Sequence, residues 1–113
     1  MKSMKILYSF RELAKFTERL SKLLSEEDYS ELQWELIDNP EGGTIIKASG
    51  GIRKIRWSAK GRGKRGGARV IYYLAVGKYT IFMLDIYAKN EKENLSAFEI
   101  KFLRNLVKEW LEK

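Results

Sequence analysis

Lys54 and Arg56 stand two residues apart in the stretch IRKIRW (52–57), and Arg69 opens the next apolar run, ARVIYYLA (68–75). In an extended chain alternate residues share a face, so Ile52, Lys54 and Arg56 fall on one side and Arg53, Ile55 and Trp57 on the other. Antiparallel neighbours lie about 5 Å apart, which brings Arg69 within reach of Lys54 or Arg56 once the two runs pair. Lys89, just past the run 79–88, approaches the same rim. Cations converging on one concave surface suit phosphoryl chemistry. Attack of a ribose 2′-hydroxyl on the adjoining phosphate builds negative charge there, which Arg and Lys stabilise. The same cations also hold a phosphate passively, and charge alone does not separate the two roles.

Two absences narrow the chemistry further. The 113 residues contain no cysteine and no histidine. Thiol nucleophiles, cysteine zinc sites, Ser-His-Asp triads and the commonest metal ligand are thereby excluded. No metal and no cofactor is expected. Proton transfer must fall to a lysine of lowered pKa, a tyrosine, or a group lent by a partner.

The charge is unevenly spread. Residues 1–51 hold seven Lys/Arg and nine Asp/Glu, and residues 70–113 hold seven and six. Residues 52–69 hold eight Lys/Arg and no acid, so the whole excess behind the net charge of +7 comes from eighteen residues. Charge kept for solubility is usually mixed in sign. A dense single-sign patch raises a local field whose commonest ligand is a phosphate backbone.

The elements that must position these residues follow from periodicity. Residues 4–8 read as a short first strand, and Phe10, Leu13, Phe16, Leu20, Leu23 and Leu24 as a helical stripe. Ser25 before Glu26, Glu27 and Asp28 is an N-cap with acids in the first turn of a second helix. That helix buries Tyr29, Leu32, Leu36 and Ile37 and stops at Asn39-Pro40. Strands are expected at 52–57, 68–75 and 79–88, joined as an antiparallel meander, with Gly77 marking the second turn. Residues 58–67 (SAKGRGKRGG) form a basic, glycine-rich loop whose Lys60, Arg62, Lys64 and Arg65 are expected to hold phosphates. Asn94 to Lys113 reads as a final helix, with Ser96 and Glu99 at the capping-box spacing. The expectation is one α+β domain over 1–113, ordered β-α-α-β-β-β-α, with two N-terminal helices on one face of the sheet.

Other signals carry less. The basic loop fails the nucleotide-binding pattern, because Lys64 is followed by Arg65 rather than Ser or Thr. Asp85 and Glu91 are the only acids between 52 and 91 and lack the spacing for paired-carboxylate catalysis. Tyr72, Tyr73, Tyr79 and Tyr87 are rings that could stack on bases, although strands are rich in tyrosine for packing reasons alone. Tyr87, two residues before Lys89 and on its face, is the best placed of them for RNA. No run is long enough to span a bilayer and the N-terminus lacks an apolar signal stretch, so a cytoplasmic protein with no membrane partner is expected.

The stretches GGIRKIRWSAKGRGKRGGARVIYY and IYAKNEKENLSAFE resemble the HigB branch of the RelE/ParE toxin superfamily of type II toxin–antitoxin systems. The likeness covers about residues 30–110 and is most specific in G-x-R-K-I-R, G-K-R-G-G-x-R-x-I-Y-Y and Y-x-K-N-E. It implies a RelE-like fold with a twisted antiparallel sheet. It also implies a metal-independent, ribosome-dependent mRNA endonuclease. The implied partners are the ribosome, mRNA and a cognate antitoxin, which is expected to carry a helix-turn-helix domain. Carried across residue by residue, the family's catalytic cations fall on Lys54, Arg56, Arg69 and Lys89. The RNA-binding residues are then Arg53, Lys60, Arg62, Lys64, Arg65 and Tyr87. RelE-type toxins often add an arginine after the last lysine and a C-terminal tyrosine; here Asn90 takes the first place and no tyrosine follows Tyr87. A ParE-like toxin that binds DNA gyrase and a non-catalytic nucleic-acid-binding module are the competing readings. Lys54, Arg56 and Arg69 together on one face favour the nuclease.

Overall fold

In a computed structural model that describes residues 6–58 and 67–113, the chain folds as a five-stranded sheet between two helical layers. The strands are β1 (Ser9–Glu12), β2 (Thr44–Ile45), β3 (Arg53–Trp57), β4 (Ala68–Ala75) and β5 (Thr80–Ala88). Their order across the sheet is β1-β5-β4-β3-β2. The helices are α1 (Ala14–Leu23), α2 (Glu26–Asp38) and α3 (Ala97–Leu111).

One face of the sheet packs on α1 and α2. Phe16 of α1, Leu24, and Leu32 and Leu36 of α2 meet Val70 and Tyr72 of β4 and Ile81, Met83 and Ile86 of β5. The other face packs on α3, where Leu103 and Val107 meet Ile71, Phe82, Leu84 and Tyr87. The final helix therefore packs within the chain, on the face opposite α1 and α2.

Local chemistry explains the helix ends. Ser25 and Asp28 form a reciprocal capping box at α2, and Ser96 and Glu99 form another at α3. At the far end of the β4–β5 hairpin the left-handed residue is Tyr79 (φ 49°), not Gly77. Tyr72 ties β4 to the chain before β2: its hydroxyl donates to the Pro40 carbonyl at 2.8 Å and accepts from the Gly43 N–H at 2.9 Å.

Two strands depart from the sequence expectation. Of the strand expected at 4–8, residues 4 and 5 lie outside the described residues and 6–8 are not strand; the first described strand, at 9–12, pairs parallel with β5, from Ser9 opposite Thr80 to Glu12 opposite Met83. The chain leaves β1 through two helices to β2 at the opposite edge of the sheet, so β1 and β5 are not joined by a hairpin and can run parallel. β2, two residues long and antiparallel to β3, lacks the length to show a period in sequence. The basic residues Lys60, Arg62, Lys64 and Arg65 lie outside the described residues. Among the described residues, no helix is long and apolar enough to cross a membrane.

Candidate nucleic-acid interface

Register places the cations. Arg56 pairs with Arg69 across β3–β4, and Arg69 pairs with Tyr87 across β4–β5. One row over, Lys54 pairs with Ile71 and Ile71 with Asp85. Strand alternation therefore puts Lys54, Arg56, Arg69 and Tyr87 on the α3 side of the sheet, beside the connection from β5 to α3. Lys89 continues the alternation from Tyr87, is exposed, and its N–H donates to the Gly67 carbonyl at 3.2 Å, closing the base of the hairpin.

Like charges directly opposite on neighbouring strands are destabilising. Arg56 and Arg69 are such a pair, and ion pairing does not offset it. Among the described residues the recorded ion pairs go elsewhere: Asp85 to Lys15 and Arg19, Glu91 to Arg19, Glu99 to Lys92 and Glu41 to Arg53. Folds that break a local rule without local compensation tend to do so at functional sites.

The side chains differ from one another in access. Arg56 is exposed and Lys54 half-buried, with the Lys54 ammonium donating to Asn94 Oδ1 at 2.7 Å. Arg69 is only 4% exposed, so its neighbours enclose most of the side chain. Tyr87 is fully buried, with the Lys92 ammonium 4.9 Å from its ring centroid. Its hydroxyl donates to the Glu93 carbonyl at 3.4 Å. Burial raises its pKa; the nearby Arg69 opposes the rise, whereas Asp85, Glu99 and Glu91 add to it. Base stacking by Tyr87 is thus not supported, because no ring face is open. Arg53 also leaves the set: it lies on the opposite face and donates to the Glu41 and Gly43 carbonyls at 3.1 and 2.8 Å. It clamps the chain around β2.

A family model described as the RelE toxin of the RelE/RelB toxin–antitoxin system matches residues 8–113. The chain belongs to the RelE toxin family. Solved structures agree on the fold. A mutant of the E. coli toxin RelE in the free state is 18% identical, covers 80% of this chain and 90% of its own, and superposes with a TM-score of 0.56. RelE in the intact E. coli RelBE toxin–antitoxin complex is 19% identical over 72% of this chain and 95% of its own, with a TM-score of 0.56. RelE of the archaeal RelE–RelB complex from Pyrococcus horikoshii is 18% identical over 76% and 99%, with a TM-score of 0.51.

In this RelE-family toxin two residues that touch the candidate set were not singled out from the sequence, Lys92 beside Tyr87 and Asn94 beside Lys54. Both lie on the β5–α3 connection: Asn94, expected to open the final helix, precedes it, because α3 starts at Ala97 behind the Ser96 cap. Lys92 is held by Glu99, whose carboxylate accepts from the ammonium at 2.5 Å and from the Ser96 N–H at 2.9 Å. Burial works against ionisation of Glu99, but the bonds to Lys92 and Ser96 outweigh it and lower its pKa to about 2. A carboxylate lowered in the fold adds stability above its ordinary value of 4.5, and that stability fades as pH falls towards about 2. Glu99→Gln keeps the capping geometry and removes the charge. The variant is expected to be about 0.5–1 kcal/mol less stable near pH 7 and to match the parent near pH 2. Urea midpoints at both pH values test this; a gap that persists at low pH would mean that packing, not charge, is what the carboxylate provides.

Proposed function

We propose that this toxin is a ribosome-dependent mRNA endonuclease of a type II toxin–antitoxin system, acting in the cytoplasm as a single domain over 1–113. Its HigB-like character rests on the strand and hairpin motifs in the sequence. The observation that carries the reading is the Arg56–Arg69 pairing with Lys54 on the same face, three cations held together against their mutual repulsion. In this reading the 2′-oxygen attacks the adjoining phosphorus, the bond to the 5′-oxygen breaks, that oxygen takes up a proton and leaves as a 5′-hydroxyl, and a 2′,3′-cyclic phosphate remains. Arg56, Arg69 and Lys54 stabilise the charge that develops on the phosphoryl oxygens, and Lys89 holds the strand at the hairpin base. The residues gathered here supply cations rather than a ready base, so the 2′-hydroxyl proton passes to a group that the ribosome positions. A cognate antitoxin with a helix-turn-helix domain keeps the toxin inactive; the E. coli and P. horikoshii RelE relatives were both captured with RelB.

Purified toxin with ribosomes and message is expected to cut the message without added metal and leave cyclic phosphate ends. Equal cutting of naked RNA would overturn ribosome dependence. Loss of cutting on chelation, in a buffer that keeps ribosomes intact by polyamines, would overturn metal independence.

A further inference from the structure

A groove of about 580 Å³ runs between α3 and the turn that joins β2 to β3. Lys47 and Ala48 form one wall; Lys101, Arg104, Asn105 and Lys108 form the other. Lys101, Arg104 and Lys108 recur at the three- and four-residue spacings of a single helix face. All four cations are exposed and no acid lines the groove.

The turn is built rather than slack. Ser49 is 2% exposed; its hydroxyl donates to the Ile46 carbonyl at 2.6 Å and accepts from the Ile52 N–H at 3.0 Å. Ala48 sits at φ 62°, a region that costs a non-glycine residue free energy and persists only when its surroundings enforce it. A Cβ at Gly50 would lie 3.6 Å from Arg104 Cγ, so the arginine stem is laid along the turn. This places one wall's cation and the other wall's arginine on a fixed frame.

The groove also continues the interface. A cavity of about 320 Å³ shares Lys47 and Ile100 with the groove, and Lys54 and Asn94 with the cationic face of the sheet. At the other end Glu112 lines a cavity with Arg104 and Lys108, so the single-sign surface stops at the end of α3. No aromatic residue lines the groove, which removes the stacking platform that a base-reading channel uses.

We infer that this groove is a second phosphate track, which holds by its backbone the RNA strand flanking the bond at the cationic face. The inference rests on the RNA-directed reading above for its ligand. The span from Lys101 to Lys108 is about 10 Å along the helix, enough for more than one phosphate of an extended strand. The strand passes from Arg56 and Lys54 by Asn94 and Lys47 into the groove, and it is held there without sequence preference.

The test uses 2′-O-methyl RNA, which lacks the attacking hydroxyl and reports binding without cleavage. Wild-type toxin is expected to bind a twelve-nucleotide strand at least about tenfold tighter than a four-nucleotide one. The triple variant Lys101→Gln, Arg104→Gln, Lys108→Gln is expected to lose that advantage and to bind the short strand as before. Each phosphate contact on a single strand contributes about 0.7 to the log–log salt slope, so the triple variant should lose about two units. Lys47→Gln, on the other wall, should lose about 0.7 by itself. Unchanged length dependence and slope would overturn the inference. Loss confined to a base-paired RNA helix would give the groove to ribosomal RNA, and loss confined to the antitoxin would give it to an acidic protein segment; either result removes the strand assignment. Toxin that binds this way but never cuts on ribosomes keeps the track and overturns the proposed function, and the converse keeps the function and removes the track.

Discussion

Replacing Arg69 with alanine is expected to slow ribosome-dependent cleavage by about 100-fold or more, a loss of about 3 kcal/mol of transition-state stabilisation. The arginine is set by its strand: Val70 and Ile71 beside it are fully buried, Arg56 pairs with it on one side and Tyr87 on the other. A purely structural role would have it neutralise Asp85 or Glu91, but Arg19 holds both of those carboxylates and Lys15 shares the first. Because Arg69 is 4% exposed, alanine also removes a buried aliphatic stem, and about 1–2 kcal/mol of stability should go with it. Arg69→Lys separates the two effects. Lysine keeps the stem and the charge but not the planar fork, so stability should largely return while cleavage stays about tenfold down. Melting temperature and single-turnover cleavage on the same preparations decide it. An alanine variant that folds and cuts at the parental rate would take Arg69 out of the reaction.

Where sequence signals were local, they located the elements. The strand expected at 68–75 is β4 residue for residue, and both serine caps sit where the spacing to the following acid placed them. The shared face of Lys54, Arg56 and Arg69 was legible for the same reason: a period of two is written along each strand. β1 was not legible, because Phe10 also fits the helical spacing and the pairing that makes it a strand lies some seventy residues away in β5. Burial of Arg69 and Tyr87 was hidden as well, since the Tyr87 ring is closed over by Lys92 from the connection to α3. Asp85 shows the limit most clearly. Counting by twos from Ile81 and Met83 puts it on the α1–α2 side. The register instead jumps from Tyr72–Met83 to Ile71–Asp85, so Leu84 is an extra residue and Asp85 falls past the end of the β1 pairing, in a cavity lined from both layers by Lys15 of α1 and Leu103 of α3. A bulge of this kind re-aims a side chain, and nothing in the local sequence announces it.

That re-aimed carboxylate underlies the second large effect. Asp85 is 1% exposed, and its Oδ1 accepts from the Ile86 N–H at 2.8 Å. Lys15 lies 3.5 Å and Arg19 3.4 Å away, and Arg19 goes on to grip Glu91 on the connection that carries Lys89, Lys92 and Asn94. Removing one member of a buried pair strands the other's charge and typically costs about 3–5 kcal/mol. Here Arg19 is 22% exposed and keeps Glu91, so Asp85→Asn is expected to lose about 2–3 kcal/mol of stability. Adding Arg19→Met removes the stranded charge, and the double variant should be more stable than Asp85→Asn alone, with a coupling of about 1 kcal/mol or more in the cycle. Cleavage should fall less than in Arg69→Ala, because the network holds the connection rather than the phosphate. Urea titration of the four proteins measures the cycle. If Asp85→Asn stays within about 0.5 kcal/mol of the parent, water already screens the cluster and α1 does not brace the connection through it.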